Sequence, residues 1–349
     1  MLKSAKRNKI SPLSLFYILF ICRVSVSLTS VHSVSKSEIT SSTVVAYLLA
    51  VLLTVLLSYP AVLCARFDKN PIETKTLGKF YCAYFIFINA LSVSRFSHFA
   101  STTLNPETQG WLFVLIICLC AFYSATLGIE AISRFSAFCF VLLFLGILSV
   151  LFCNFNTFDE INLYPLEMTT KSNLFENAFT FASNTSEIAI FLSIYQRVNG
   201  RVERSFVRSV CLSFFAVLML LYVALGVMGN SMSVRSFPFY SFFQISKFGT
   251  FERLDVLHMS FWIMSVFVKS SICVYSACTS FSKNVSGKNS LVVSILTFTL
   301  SLVLLKFNSF ESVIMNASML TFVLFCVLLP ALTLIFKRKN YGDELVKMY

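Results

Sequence analysis

Glycine is scarce in this chain, with 10 residues in 349. Gly-rich loops that cradle phosphate are therefore excluded, and any break inside a helix has to be made by other residue types. Histidine is scarcer still. His32, His98 and His258 have no ligand spacing and no Ser/His/Asp arrangement around them, so an enzyme is not expected and these three read as interfacial polar residues. Charged residues make up only 13% of the chain, too few to cover a soluble protein of this length. The 11 cysteines are scattered. Cys118, Cys120 and Cys139 fall within apolar stretches, with neither metal-ligand spacing nor a paired extracytoplasmic pattern, so the expectation is small packing residues, no metal and no cofactor. Lys and Arg outnumber Asp and Glu by 28 to 16, but without the clustered basic face of a nucleic-acid binder.

What the chain has is length in its apolar runs. Hydrophobic residues are 57% of it, and the mean hydropathy is +0.79. A bilayer core of about 30 Å needs about 20 apolar residues per helix. Stretches of that kind recur near 10–29, 42–64, 77–104, 110–127, 131–153, 174–196, 206–229, 255–281, 290–306 and 313–336. The pattern predicts an all-α, polytopic membrane bundle of ten transmembrane helices in one domain spanning 1–349, with the lipid bilayer as its first partner. A basic start before an apolar run also resembles a secretory signal. Arg23 interrupts that run, which favours a retained first span.

The basic residues collect in every second gap. One set of gaps and ends holds 19 Lys and Arg, the alternate set holds 6, and Arg23, Arg95 and Lys269 lie inside spans. Such a bias puts the first set in the cytoplasm, so 1–9 and 337–349 are expected to be cytoplasmic tails. An anionic inner leaflet accounts for the formal net charge of +12.

Ten spans divide into two groups of five, and five is odd, so the second group enters the membrane from the opposite side. That is the parity of a five-plus-five inverted repeat, in which the first helix of each half is often broken at mid-membrane and holds the ligand. Spans 1 and 6 each carry a polar interruption, at Arg23, Ser25 and Ser27 and at Asn184, Thr185, Ser186 and Glu187. Hydroxyl and amide side chains offer the backbone competing hydrogen bonds; the alternative is an ordinary helix whose hydroxyls bond back onto it. Residues 23–29 and 183–187 are thus the candidate ligand-binding segments, with Arg23 placed either to meet a ligand carboxylate or to snorkel outward. Glu187 and Lys269 fall at similar depth, about 20 Å from the outer ends of their spans at 1.5 Å per residue. Buried ionisable groups seek partners, so an ion pair is expected, with Lys269 as polar support or coupling group. Arg95 and His98 read as interfacial anchors. Glu252 and Asp255 favour the N-terminus of span 8.

Several stretches, in order, carry a resemblance. They are Ile10-Ser11-Pro12, Gly128-Ile129-Glu130-Ala131-Ile132-Ser133-Arg134-Phe135, Phe158 to Leu166, Ser186 to Leu192 with the basic Arg197–Arg208 loop behind it, and Gly249 to Asp255 followed by Phe261-Trp262-Ile263 and Phe267-Val268-Lys269-Ser270. Together they resemble spore germinant receptor B subunits, within the amino acid–polyamine–organocation transporter superfamily, over nearly the whole chain. The resemblance implies a spore germination protein in the inner membrane of a dormant endospore. It implies a transporter-like fold sensing a small-molecule germinant, often an amino acid. Its partners would be an A subunit and a lipoprotein C subunit, and the outcome would be release of ions and dipicolinate. The family's glycines in span 1 and before the span 6 glutamate are replaced here by Ser25, Ser27, Asn184, Thr185 and Ser186, which marks a divergent member. The competing readings are a secondary active transporter of amino acids or related solutes, with Glu187 or Lys269 as coupling group, and a scaffold whose ligand site has decayed.

Overall fold

The computed structural model describes residues 9–34, 39–164, 171–246, 255–282, 285–307 and 311–336. The expected tail 337–349, nearly all of 1–9, and Glu252 lie outside the described residues. The helices are α1 (Pro12–Val34), α2 (Ser41–Arg66), α3 (Lys75–Phe99), α4 (Gly110–Leu127), α5 (Ile129–Cys153), α6 (Lys171–Ser183), α7 (Glu187–Ile194), α8 (Val202–Met228), α9 (Ser231–Val234), α10 (Pro238–Ile245), α11 (Asp255–Ser282), α12 (Gly287–Lys306) and α13 (Glu311–Phe322). A wider π turn, Ala100–Leu104, extends α3, and another, Val323–Leu328, carries α13 on towards Phe336. Among the described residues there is no sheet, only an isolated bridge between Ile10 and Val198.

Local chemistry sets several boundaries. The Thr40 amide donates to Thr43 Oγ1 (3.1 Å) where α2 begins, and Ser286 Oγ accepts from the Asn289 amide (3.2 Å) at the start of α12. A single residue separates α4 from α5. It is Gly128 at φ 92°, a conformation that only glycine adopts cheaply. Gly78 serves a different end, because a Cβ there would run into the Ser280 carbonyl oxygen of α11.

Among the described residues, eight helices are long and apolar enough to cross a membrane. Their outward faces carry large apolar side chains, such as Leu52, Leu56, Leu119, Phe138, Leu145, Leu148 and Ile295. Exposed belts of this kind are untenable in water and ordinary in lipid. The chain is a multi-pass membrane protein. α11 is its axis. Its span is 83% buried, against 22–56% for the other seven, and it packs on α1, α3, α4, α5, α7, α10 and α12. Many interior serines and threonines bond back to their own helices, as Ser92 Oγ to the Ile88 carbonyl (2.9 Å) and Thr297 Oγ1 to the Val293 carbonyl (2.9 Å), although Thr54, Ser270 and Ser294 are buried without a hydrogen-bond partner among the described residues.

Candidate functional site

Span 6 is broken where the sequence turns polar. α6 stops at Ser183 and α7 starts at Glu187. The gap is stitched locally. The Thr185 amide donates to the Ala182 carbonyl (3.1 Å), the Ser186 amide to the Asn184 carbonyl (3.2 Å), and Asn184 Nδ2 to the Thr180 carbonyl (3.2 Å). Span 1, by contrast, runs unbroken as α1. Of the two readings left open there, the continuous helix holds, and two of its polar side chains, Arg23 and Ser27, bond to other helices. Ser27 Oγ lies 3.3 Å from the Tyr47 hydroxyl.

Arg23 is 3% exposed, so it does not snorkel. It reaches across from α1 to the break. Nη1 donates to Thr185 Oγ1 (2.9 Å), Nη2 donates to the Phe181 carbonyl (3.2 Å), and the guanidinium lies 3.9 Å from the centroid of the Phe214 ring. A cation at the last carbonyls of α6 satisfies them and complements the helix dipole. Arg23 thus ties α1 to the break, while its Nε stays buried without a partner among the described residues.

Glu187 opens α7, where the helix dipole favours an anion. It is 2% exposed, and neither carboxylate oxygen has a hydrogen-bond partner among the described residues; Ser186 Oγ is likewise buried and unpartnered. Its own amide and the Ser186 hydroxyl lie close without meeting hydrogen-bond geometry. The charges of Lys269 and Arg23 act on Glu187, but no ion pair with Lys269 forms. The expected contact is corrected. Lys269, buried on α11, lines a cavity beside the break, whereas Glu187 lines a separate crevice.

That cavity is about 30 Å³ and is walled by Ser25, Tyr84, Arg95, Asn184, Ser186 and Lys269, among others. It has room for a water or two. The crevice, between Arg23, Thr185, Glu187, Ser209 and Ser213, has room for none. The candidate residues therefore do converge on the break. Ser25, Asn184, Ser186 and Lys269 face the cavity, Arg23, Thr185 and Glu187 face the crevice, and Ser27 stands apart on Tyr47. Among the described residues no carboxylate lines the cavity, whereas Arg95 and Lys269 both do.

Arg95 was expected at the membrane interface and instead lines the cavity. The level above it is roofed by α10 and an aromatic cluster, with Phe99 3.9 Å from Trp262 and 4.8 Å from Phe237, centroid to centroid. The same roof buries His258, 1% exposed and 4.9 Å from Phe243, which corrects its reading as an interfacial residue. Asp255 at the start of α11 is also covered, and it accepts from the Tyr240 hydroxyl (3.3 Å). Sequence reasoning missed Arg95 and Tyr84. The usable signal was their helical spacing with Ile88 and Ser92, which puts all four on one face of α3.

At the opposite end the break is latched. Asn70 Nδ2 donates to the Leu192 carbonyl (3.0 Å), and Gln196 Nε2 donates to Asp68 (3.2 Å) and to Glu73 (2.9 Å). The connection between α2 and α3 thereby closes over the end of α7.

The architecture has solved counterparts. A Na+-coupled sialic acid symporter in a substrate-bound, outward-open state is similar over 92% of this chain and 79% of its own, with a TM-score of 0.62 at 13% identity. A nucleobase-cation-symport-1 family transporter, in a closed conformation with bromovinylhydantoin bound, is similar over 88% and 75%, with a TM-score of 0.49 at 13% identity. The first likeness establishes a transporter fold. Among curated proteins none matches the chain. The spore permease family, described as spore germination protein, matches residues 9–311. With a transporter fold interrupted between α6 and α7, the chain, matched over residues 9–311, is a member of the spore germination protein family.

Proposed function

We propose that the chain is the membrane subunit of a nutrient germinant receptor, acting with A and C subunits in the spore inner membrane. One observation carries this reading. The break between α6 and α7 gathers buried polar groups of both signs, including the unpartnered Glu187 carboxylate and Ser186 hydroxyl, beside a cavity walled by Arg95 and Lys269. Unpartnered buried polar groups are rare in native proteins and point to a group from outside the chain. The cavity wall suits an anion such as a carboxylate, and Glu187 suits an ammonium group. An amino acid carries both. The cavity has room for no more than a water or two, so ligand entry requires the walls to part, and the ligand acts by favouring the widened state.

The proposal includes ten spans: the eight long helices, α1, and the broken α6–α7 pair. It includes the five-plus-five inverted repeat, with α1 and α6–α7 as first helices of the two halves. It also places residues 1–9 and 337–349 in the cytoplasm as ends of a single membrane domain. Secondary transport of an amino acid or related solute is the other reading, favoured by the transporter fold itself.

The test is dipicolinate release from spores lacking the chain, against a panel of amino acids, sugars and bile salts. Selective loss of one response supports the receptor and names the ligand class. An intact response across the panel, together with substrate flux in proteoliposomes, overturns it in favour of transport. In the same spores, Ser186→Ala or Thr185→Ala should shift the germinant concentration for half-response about tenfold without changing protein level. Unchanged sensitivity in both removes the break from the site.

A further inference from the structure

On the side of the basic loops, α1 and α8 diverge to form an open groove of about 900 Å³. Its α8 wall carries Arg201, Arg204 and Arg208 and then, deeper, Phe215; its α1 wall carries Leu13 and Phe16. The α8 positions follow helical spacing on one face. From Arg201 to Phe215 the wall is about 21 Å tall at 1.5 Å per residue, with charge at one end and apolar surface at the other.

The three guanidiniums are exposed, and none has a carboxylate within ion-pair distance among the described residues. Like charges four apart on a helix repel, so the stack as it stands lacks its complement. The apolar end lacks a complement too: Leu13 is 57% exposed and Phe215 56%. The groove is held in shape independently of any occupant. Ser205 Oγ donates to the Pro12 carbonyl, the Ile10 amide to the Arg197 carbonyl (2.9 Å), and the Asn199 amide to the Ile10 carbonyl (3.0 Å).

We infer that this groove is a binding site for an anionic phospholipid of the adjoining leaflet, with the phosphate on Arg201, Arg204 and Arg208 and an acyl chain along Leu13, Phe16 and Phe215. Basic pockets between membrane helices recognise such headgroups, and guanidiniums match phosphate oxygens two at a time. An acidic protein segment would satisfy the arginines but not the apolar half of the groove. The site stands apart from the germinant reading and does not depend on it. Its occupant braces α1 against α8, the two helices that present Arg23 and Phe214 to the break.

The experiment is native mass spectrometry of the full-length protein in mild detergent, titrated with phosphatidylglycerol or phosphatidylcholine of equal chain length. Wild type should retain phosphatidylglycerol at least about tenfold more strongly, since each arginine near the headgroup contributes about fivefold. Arg204→Gln should reduce the preference about fivefold, and the triple Gln variant should abolish it. Cys211→Trp, which fills the groove and leaves the arginines intact, should also abolish it. Excess inorganic phosphate should leave the lipid in place. Equal retention of the two lipids, a preference unchanged in the triple variant, or displacement of the lipid by phosphate alone overturns the inference. So does an acidic protein segment that takes the groove in place of lipid.

Discussion

Arg23 shows how much of a side chain's surroundings its residue type leaves open. A charge within an apolar span had to be functional or partnered. The structure partners it with the broken end of α6, by two hydrogen bonds and a stacked ring. Arg23→Gln should therefore act first on stability. Hydrogen bonds from a charged group are worth about 1.5–3 kcal/mol each, and their loss should lower the melting temperature of the purified protein by several degrees. Arg23→Lys keeps the charge but not the planar fork or the stacking, so it should fall between. Lys269→Met is expected to behave in the opposite way. Lys269 faces the cavity without a hydrogen-bond partner among the described residues, so its loss should leave the melting temperature within a degree or so and weaken the germinant response at least about tenfold, as removal of one charge-assisted contact does. A melting temperature that falls with Lys269→Met and holds with Arg23→Gln would reverse these two assignments.

At the scale of elements, what the sequence carried was the position of the break and what it lacked was the cover. Asn184, Thr185 and Ser186 are a local signal, because their side chains compete for backbone groups within a residue or two of themselves. The same chemistry in α1 left break and continuous helix equally open, and the helix continues while Ser27 finds Tyr47 and Arg23 finds Thr185 and Phe181 across helix boundaries. Cross-helix contacts of that range leave no periodic trace. Arg95 and His258 were misplaced for a related reason. Depth counted along a helix assumes that its outer end meets water, but α10 and the cluster of Phe99, Phe237 and Trp262 roof that level. A direct check of the break follows. Replacing Asn184, Thr185 and Ser186 together with alanine, the strongest helix former, should fuse α6 to α7, withdraw Ser186 from the cavity and abolish the germinant response while the protein remains in the membrane. A response that survives would mean that the break does not hold the ligand.

For the whole molecule, the apolar belts on the outer helices follow from composition, because a chain this apolar has only lipid to face, whereas the central place of α11 comes from packing. Orientation is a separate matter, resting on the alternation of 19 against 6 basic residues. A fluorescent protein fused after residue 336 should fluoresce, as cytoplasmic fusions do, whereas a phosphatase that is active only outside the cytoplasm should be silent there. The reverse pattern would invert every loop and move the arginine groove to the opposite leaflet. The size of the cavity beside Lys269 has a consequence for such a molecule as a sensor. A pocket of about 30 Å³ is too small for an amino acid, so binding needs a wider form, and apparent affinity falls by the fraction of time the pocket stands open. If the open form were about one molecule in a hundred, a pocket with micromolar intrinsic affinity would answer only near 100 μM. Closure at rest would then set an alarm threshold, with traces of nutrient passing unheard and only a sustained supply ending dormancy.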